Sequence, residues 1–141
     1  MVQAASILGL DIGDVRVGVA KAYWPDGIPS PLTVLTNDKD LSANLQKIIE
    51  DENAKYVIAG YPRSLNGNLT QQSNKTVNLV NMLKSRISAR IILQDEAGTS
   101  IKAENELKSR KHPYSKEDID SLSAVFILED FINSHPGGGG L

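Results

Sequence analysis

Cysteine is absent from this chain of 141 residues, and aromatic residues make up only 5% of it. Without a thiol the chain can form no disulfide bond, no thiolate nucleophile and no zinc–thiolate centre. It contains two histidines, His112 and His135, and neither has a histidine or glutamate three or four residues away. A histidine metal site or a Ser/His/Asp triad is therefore not expected.

The sequence also lacks a long apolar run and a strong net charge. No segment approaches the roughly 20 apolar residues of a membrane span, and the N-terminus lacks the basic start and cleavage site of a signal peptide. With a formal net charge of −2, any contact with nucleic acid must come from a local basic patch. These absences predict a cytoplasmic protein that does not bind a membrane.

Hydrophobic patterning predicts alternating strands and helices. The β-rich runs are residues 6–12, 16–23, 31–36, 56–60 and 90–93. The helices are expected to begin at Asp40, Thr70, Thr99 or Ser100, and Ser115. Three strands in a meander, followed by helices and strands in alternation, indicate one α/β domain with a mixed sheet. We expect residues 1–135 to form this domain and residues 136–141, which are rich in glycine, to be a disordered tail.

Asp11 is the most informative residue of the sequence, because it follows an apolar run that offers no exposed polar side chain. A strand covered on both faces would hold this carboxylate on a rigid support at the edge of the sheet. That arrangement suits metal binding or catalysis. The alternative is that Asp11 only begins a turn with Gly13 and Asp14.

Two other positions place acidic groups where an ordered element begins or ends. Asp95 and Glu96 end the last strand, where a simple turn is an equal alternative. Asp118 is expected to stabilise the start of the last helix. Asp120 lies on a helix face that continues with apolar residues, and this position favours a functional role.

These carboxylates would converge if the first and last strands were neighbours in the sheet. Clustered carboxylates repel one another, so together they need a cation, and oxygen ligands suit Mg²⁺ or Mn²⁺. Two such ions would assist the hydrolysis of a phosphodiester.

Basic residues are concentrated around the start of the last helix. The cluster consists of Lys102, Lys108, Arg110, Lys111, His112 and Lys116. Together with Pro113 and Tyr114, this cluster could bind phosphates, or it could be a solvated surface loop. Arg16 and Arg63 lie near turns that contain glycine, and each could contact phosphate or simply be exposed.

Four motifs in order resemble the YqgF/RuvX family. Residues 8–20 resemble its LGxDxGxxRxGVA start, and residues 59–67 resemble its GxPxxxxG loop. Asp95 and Glu96 match the opening of its DER segment, and the part of the last helix that starts with Asp120 and Ser121 and continues with Ala124, Ile127 and Leu128 resembles its VDxxAAxxIL motif. The resemblance spans roughly residues 6–133.

The resemblance implies an RNase H-like fold with a five-stranded mixed sheet, the first three strands antiparallel, and helices on both faces. It implies that Asp11, Glu96 and Asp120 are the catalytic metal ligands. They would bind Mg²⁺ or Mn²⁺ and activate water against RNA, with the 5′ end of a 16S rRNA precursor as substrate. The nucleic acid would be bound by Arg16, Arg63, Lys108, Arg110, Lys111 and Lys116.

One departure from the family pattern keeps other functions open. The family usually has arginine and a bulky residue after Glu96, whereas this chain has Ala97 and Gly98. A nucleic-acid-binding domain with weak or lost catalysis is therefore one alternative, and a Holliday junction resolvase acting on branched DNA is another. A phosphate loop like that of actin-like ATPases is a distant third. We expect a monomer or a weak homodimer.

Overall fold

The computed structural model of the protein describes residues 4–63, 70–97 and 99–136. Within these ranges the chain forms strands and helices in the predicted order. The elements are β1 (Ala5–Ile12), β2 (Arg16–Trp24), β3 (Ser30–Thr36), α1 (Leu41–Glu52), β4 (Tyr56–Arg63), α2 (Gln71–Lys84), β5 (Arg90–Ala97), α3 (Thr99–Ser109) and α4 (Lys116–Ser134). No helix in these ranges is long and apolar enough to cross a membrane. The predicted tail lies, apart from Pro136, outside the described residues.

The five strands form one mixed sheet in the order β3-β2-β1-β4-β5. β1 pairs with β2, and β2 with β3, in antiparallel fashion. β4 lies parallel to both β1 and β5. The predicted fold class is confirmed, and β1 occupies the centre of the sheet, as its apolar sequence requires.

Helices cover both faces of the sheet, and each face has its own apolar core. Leu8 and Leu10 of β1 pack into the cluster on the side of α1 and α2. Ile7 lies in the other cluster, with Leu128 and Phe131 of α4. Since side chains alternate along a strand, Asp11 projects to the same face as Ile7. That is the face that α4 covers.

Helix α4 lies against the sheet because glycines leave room for its backbone. A Cβ atom at Gly18 of β2 would overlap the carbonyl group of Asp120. A Cβ atom at Gly9 of β1 would lie 2.8 Å from the carbonyl oxygen of Ala124. Larger residues at these positions would push α4 away from the sheet, so the two glycines fix how closely Asp120 approaches β1 and β2.

The ends of several elements differ from the sequence-based predictions. Thr70 and Ser115 begin α2 and α4, as predicted for both; each forms a capping box, which was predicted only for Ser115 with Asp118. Asp40 occupies the N-cap position of α1, as predicted, but its side chain makes no capping hydrogen bond. β4 continues to Arg63 instead of ending near Gly60, because its parallel pairing with β5 continues after its pairing with β1 has ended. Pro62 fits there, since one side of β4 is already an edge.

Candidate active site

Asp11 and Asp120 come together where β1 meets the first turns of α4. Asp11 lies directly opposite Gly18 in the β1–β2 pairing, and the backbone of Asp120 packs on Gly18. Burial, as the larger cause, and the nearby charge of Asp120 together raise the pKa of Asp11 from 3.8 to about 7. The hydroxyl group of Ser123, one turn along α4, favours the ionised form and partly offsets both effects. The two predicted carboxylates are therefore close enough to repel each other.

Arg16 contacts this pair from the first position of β2. Its Nε donates a hydrogen bond to Oδ2 of Asp120 at 2.7 Å, and this hydrogen bond raises the pKa of Arg16 above its ordinary value. The two side chains are 30% and 21% exposed. Arg16 was predicted to contact phosphate, and the structure adds a second role, the partial neutralisation of Asp120. The bond uses one of the five N–H donors of the guanidinium group.

Glu96 lies two strands away from Asp11, near the end of β5. Glu96 is 8% exposed, and its Oε1 atom is buried without a hydrogen-bond partner among the described residues. The pKa of Glu96 is raised from 4.5 to about 8, chiefly by burial and then by the hydrogen bond and charge of Asp130 of α4, while Lys102 partly offsets the increase. Glu96 is therefore coupled most directly to Asp130.

The structure thus arranges the acidic residues of this face as two pairs, Asp11 with Asp120 and Glu96 with Asp130. Within the described ranges, no group of three or more acidic or histidine residues is close enough to hold one metal ion. Asp120 and Asp130 are ten residues apart, which is about 15 Å along a helix. A single site that uses Asp11, Glu96 and Asp120 therefore requires the Glu96 side chain to turn away from Asp130.

Sequence reasoning did not single out Ser123 or Asp130. Their positions carried a signal, because Asp120, Ser123, Ile127 and Asp130 follow one another at intervals of three, four and three residues. Such spacing places side chains on one face of a helix. The polar members of that face could therefore have been assigned to the site together with Asp120.

The residues of this face fit a divalent cation. The donors are carboxylate oxygens, the ligands that Mg²⁺ and Mn²⁺ prefer. Burial destabilises the charged forms of Asp11 and Glu96, and an unsatisfied buried oxygen such as Oε1 of Glu96 is costly. A cation bound among these groups would relieve both effects.

The predicted phosphate-binding residues lie on the adjoining surface, in α3 and at the start of α4. Lys108 pairs with Glu104 on α3 at 3.5 Å, and Arg110, which directly follows α3, pairs with Glu106 at 3.4 Å; both pairs are exposed. Exposed pairs of this kind contribute little energy and exchange readily for another anion. Lys111 and Lys116 are also exposed. The side chain of Arg63 lies outside the described part of the structure.

The fold is that of Holliday junction resolvases, an RNase H-like architecture. The structure described as "T. thermophilus RuvC in complex with Holliday junction substrate" superposes with a TM-score of 0.55, covering 92% of this chain and 96% of that one at 12% identity. The fowlpox virus Holliday junction resolvase gives a TM-score of 0.54 over 92% and 99% of the two chains, at 13% identity. At such low identity these similarities define the fold alone.

Sequence comparison defines the family. The model described as "RuvX: Holliday junction resolvase" matches residues 5–134. A Sulfurihydrogenibium protein named "Putative pre-16S rRNA nuclease" is 38% identical over 130 residues, which are 90% of this chain and 89% of that protein. A protein of the same name from Thermoanaerobacter pseudethanolicus is 35% identical, covering 91% and 96% of the two chains. The chain belongs to the RuvX family.

Proposed function

We propose that this protein is a metal-dependent nuclease that cleaves phosphodiester bonds in structured RNA, with a 16S rRNA precursor as its substrate. The observation that carries the proposal is the pairing of Asp11 with Asp120, which couples two carboxylates on rigid elements at one edge of the sheet. Membership of the RuvX family and the names of the relatives support the choice of reaction and substrate. A cytosolic location, where such RNA occurs, is part of the proposal.

In this proposal Asp11, Asp120 and Glu96 hold Mg²⁺ or Mn²⁺, which supplies Lewis acidity and a more acidic water molecule. Asp11 and Asp120 must both be ionised for that purpose. Arg16 donates a hydrogen bond of 2.7 Å to Asp120 and places a positive charge beside the pair. The donors that Arg16 does not use for Asp120 are suited to a phosphate oxygen beside the pair.

The exposed cations at the start of α4 would then position the nucleic acid. Lys108, Arg110, Lys111 and Lys116 supply positive charge on a chain whose net charge is −2. Contacts of this type fix the register of a phosphate backbone and carry no sequence information. They would bring the scissile phosphate to the carboxylates that are proposed to hold the metal ion.

The proposal is tested by changing Asp11 to asparagine and measuring cleavage of a 16S rRNA precursor in Mg²⁺ or Mn²⁺. Asp11→Asn keeps the size of the side chain and removes its charge, so cleavage should be abolished while the fold is retained. The matched control is Asp14→Asn, three residues away in the turn, where the carboxylate is 61% exposed and pairs with Lys75. The control should cleave like the parent, and an Asp11→Asn variant that does the same would contradict the metal role.

A binding domain without efficient catalysis is the second candidate, and the coupling of Glu96 to Asp130 is the observation that favours it. Titration calorimetry with Mn²⁺ separates the two functions. The nuclease should release or absorb heat at millimolar Mn²⁺, and Asp11→Asn should remove that signal. No heat, with RNA binding intact, would favour the binding domain. Cleavage of a four-way DNA junction and not of RNA would instead favour a resolvase.

A further inference from the structure

A cavity of about 300 Å³ lies beside the candidate active site, between the connection from α3 to α4 and the strand β3. It involves none of the carboxylates Asp11, Glu96 and Asp120. The lining residues used below are Pro31, Leu107, Arg110, Tyr114, Asp118 and Leu122. Its volume is at the lower end of the range for small-molecule sites in proteins.

The inner part of the cavity is apolar and held in place by the core. Leu107 of α3 and Leu122 of α4 are 9% and 7% exposed and belong to the apolar cluster under α4. Tyr114 packs against the same cluster, so its aromatic ring is fixed by its neighbours. Pro31 of β3 contributes a further apolar side chain to the wall. A flat, apolar ligand would therefore find a prepared surface.

The remaining wall carries one charge of each sign. The Oδ2 atom of Asp118 accepts a hydrogen bond of 2.9 Å from the backbone N–H of Ser115, which holds the carboxylate in one orientation. A carboxylate has lone pairs for several hydrogen bonds and can accept more than this one. Arg110 also lines the cavity, and its pairing with Glu106 at 3.4 Å is exposed. The ligand should therefore combine hydrogen-bond donors with an anionic group.

The position of the cavity connects it with the carboxylates. Ser121 lines the cavity and directly follows Asp120 in α4. A neighbouring cavity of about 340 Å³ shares Pro31, Asp118 and Ser121 with it and adds Glu117. Because Glu117 and Asp118 make this end of the cavity acidic, a phosphate backbone is more stable at the other end, beside Arg110 and the cations of the α3–α4 connection.

We propose that this cavity binds one unpaired guanine base of the nucleic acid. This inference rests on the proposed nuclease function, to which the cavity would add a sequence preference. Unpaired bases stack on aromatic side chains and are recognised by hydrogen bonds to their Watson–Crick edges. Guanine presents two adjacent N–H donors on that edge and so matches the carboxylate of Asp118. Uracil presents carbonyl oxygens on either side of one donor, and these repel a carboxylate. Arg110 binds the adjoining phosphate.

The test is the binding of labelled RNA hairpins that differ only in a single-nucleotide bulge, measured by fluorescence anisotropy. The bulge is G, A, C or U, and a fully paired hairpin serves as the reference. EDTA is present so that no metal-dependent cleavage occurs. The parent protein should bind the G bulge about tenfold more tightly than the paired hairpin, because an unpaired base can stack on Tyr114. It should also bind the G bulge about tenfold more tightly than the U bulge, because only guanine offers Asp118 two adjacent N–H donors.

Two variants separate the ring from the carboxylate. Tyr114→Ala removes the stacking surface and should weaken binding of the G bulge about tenfold while leaving the paired hairpin unchanged. Asp118→Asn keeps an oxygen that can accept the capping-box hydrogen bond from the backbone N–H of Ser115, and it should remove the preference for G over U without reducing the affinity for the U bulge. Tyr23→Ala is the matched control, because Tyr23 is exposed on β2 and is not part of the cavity.

Several results would overturn the proposal. Equal affinity of the parent for all four bulges would do so, as would an equal loss for bulged and paired hairpins in Tyr114→Ala. A preference for G that survives in Asp118→Asn would show that the carboxylate does not recognise the base. If Tyr114→Ala does not fold, Asp118→Asn still tests the proposal. The nuclease function fails separately. A G preference in EDTA together with full cleavage by Asp11→Asn would leave the cavity assigned and the metal site wrong.

Discussion

The two carboxylate pairs under α4 share one helix face but differ in their neighbours. Asp120 of the first pair accepts a hydrogen bond of 2.7 Å from Arg16. Glu96 of the second pair is coupled to Asp130, and Lys102 only partly offsets the cost of its charge. Arg16 therefore partly balances the charge of the first pair beside an incoming phosphate, whereas burial and Asp130 favour the protonated form of Glu96 in the second pair. Burial alone does not define a catalytic carboxylate, and the position of the nearest cation separates the two pairs.

The largest expected effect comes from removing one charge from each pair in turn. Asp120→Asn should reduce metal-dependent cleavage by about a thousandfold, the upper range for losing one electrostatic partner of a transition state. Asp130→Asn should leave cleavage close to that of the parent, because Asp130 contributes no ligand. Single-turnover cleavage of the same RNA measures the rate constant of each variant. Equal losses in the two variants would mean that both pairs belong to one catalytic site.

The next effect concerns stability without metal. Asp11 and Glu96 have folded-state pKa values of about 7 and about 8, above their ordinary values of 3.8 and 4.5. A group with a raised pKa contributes stability that is complete below its unfolded pKa and is lost as pH rises through the folded value. In EDTA, these two groups should therefore lower the free energy of unfolding by several kcal/mol between pH 4 and pH 8.5.

Urea unfolding at several pH values measures this loss. Asp11→Asn should reduce the dependence on pH, and Mn²⁺ should restore stability at pH 8.5 in the parent, since a ligand that binds only the folded state stabilises it. A free energy of unfolding that rises with pH in EDTA would show that these carboxylates are not destabilised by burial.

The smallest expected effect is on stability, and it compares two glycines, one beside each carboxylate pair. Gly18→Ala places a methyl group against the backbone of Asp120, which cannot move without shifting α4. Gly60→Ala places one against Cδ1 of Ile127, at the flexible end of a side chain. Overpacking costs roughly 1–3 kcal/mol, and Gly18→Ala should lie at the upper end of that range and Gly60→Ala at or below its lower end. Thermal melting compares them, and an equal loss would mean that α4 is less rigidly placed.

The sequence predicted the fold well because its signals are local. Apolar runs, glycine turns and the capping residues Thr70 and Ser115 act within a few residues, and the structure has the expected sheet. The sequence did not predict that β4 continues to Arg63. That extension depends on pairing with β5, which is distant in the chain.

The site was predicted only in part, for a related reason. Asp11, Asp120 and the neighbours Asp95 and Glu96 were singled out because each stands near the end of an ordered element. The resemblance to the family selected Glu96, and Asp11, Glu96 and Asp120 remain the proposed metal ligands. The hydrogen bond between Arg16 and Asp120 joins residues 104 positions apart, and the coupling of Glu96 to Asp130 depends on the path of α4 across the sheet. Both follow from how closely α4 packs, which side-chain spacing in the sequence does not specify.

The central claim is that Asp11 and Asp120 bind a divalent cation with the help of Glu96. Anomalous diffraction from a crystal soaked in Mn²⁺ tests it most directly. The account predicts a manganese peak between the carboxylates of Asp11 and Asp120, with Glu96 turned from Asp130 toward the ion. A crystal at saturating Mn²⁺ with no peak there, in which Arg16 still pairs with Asp120 and Glu96 with Asp130, would contradict it.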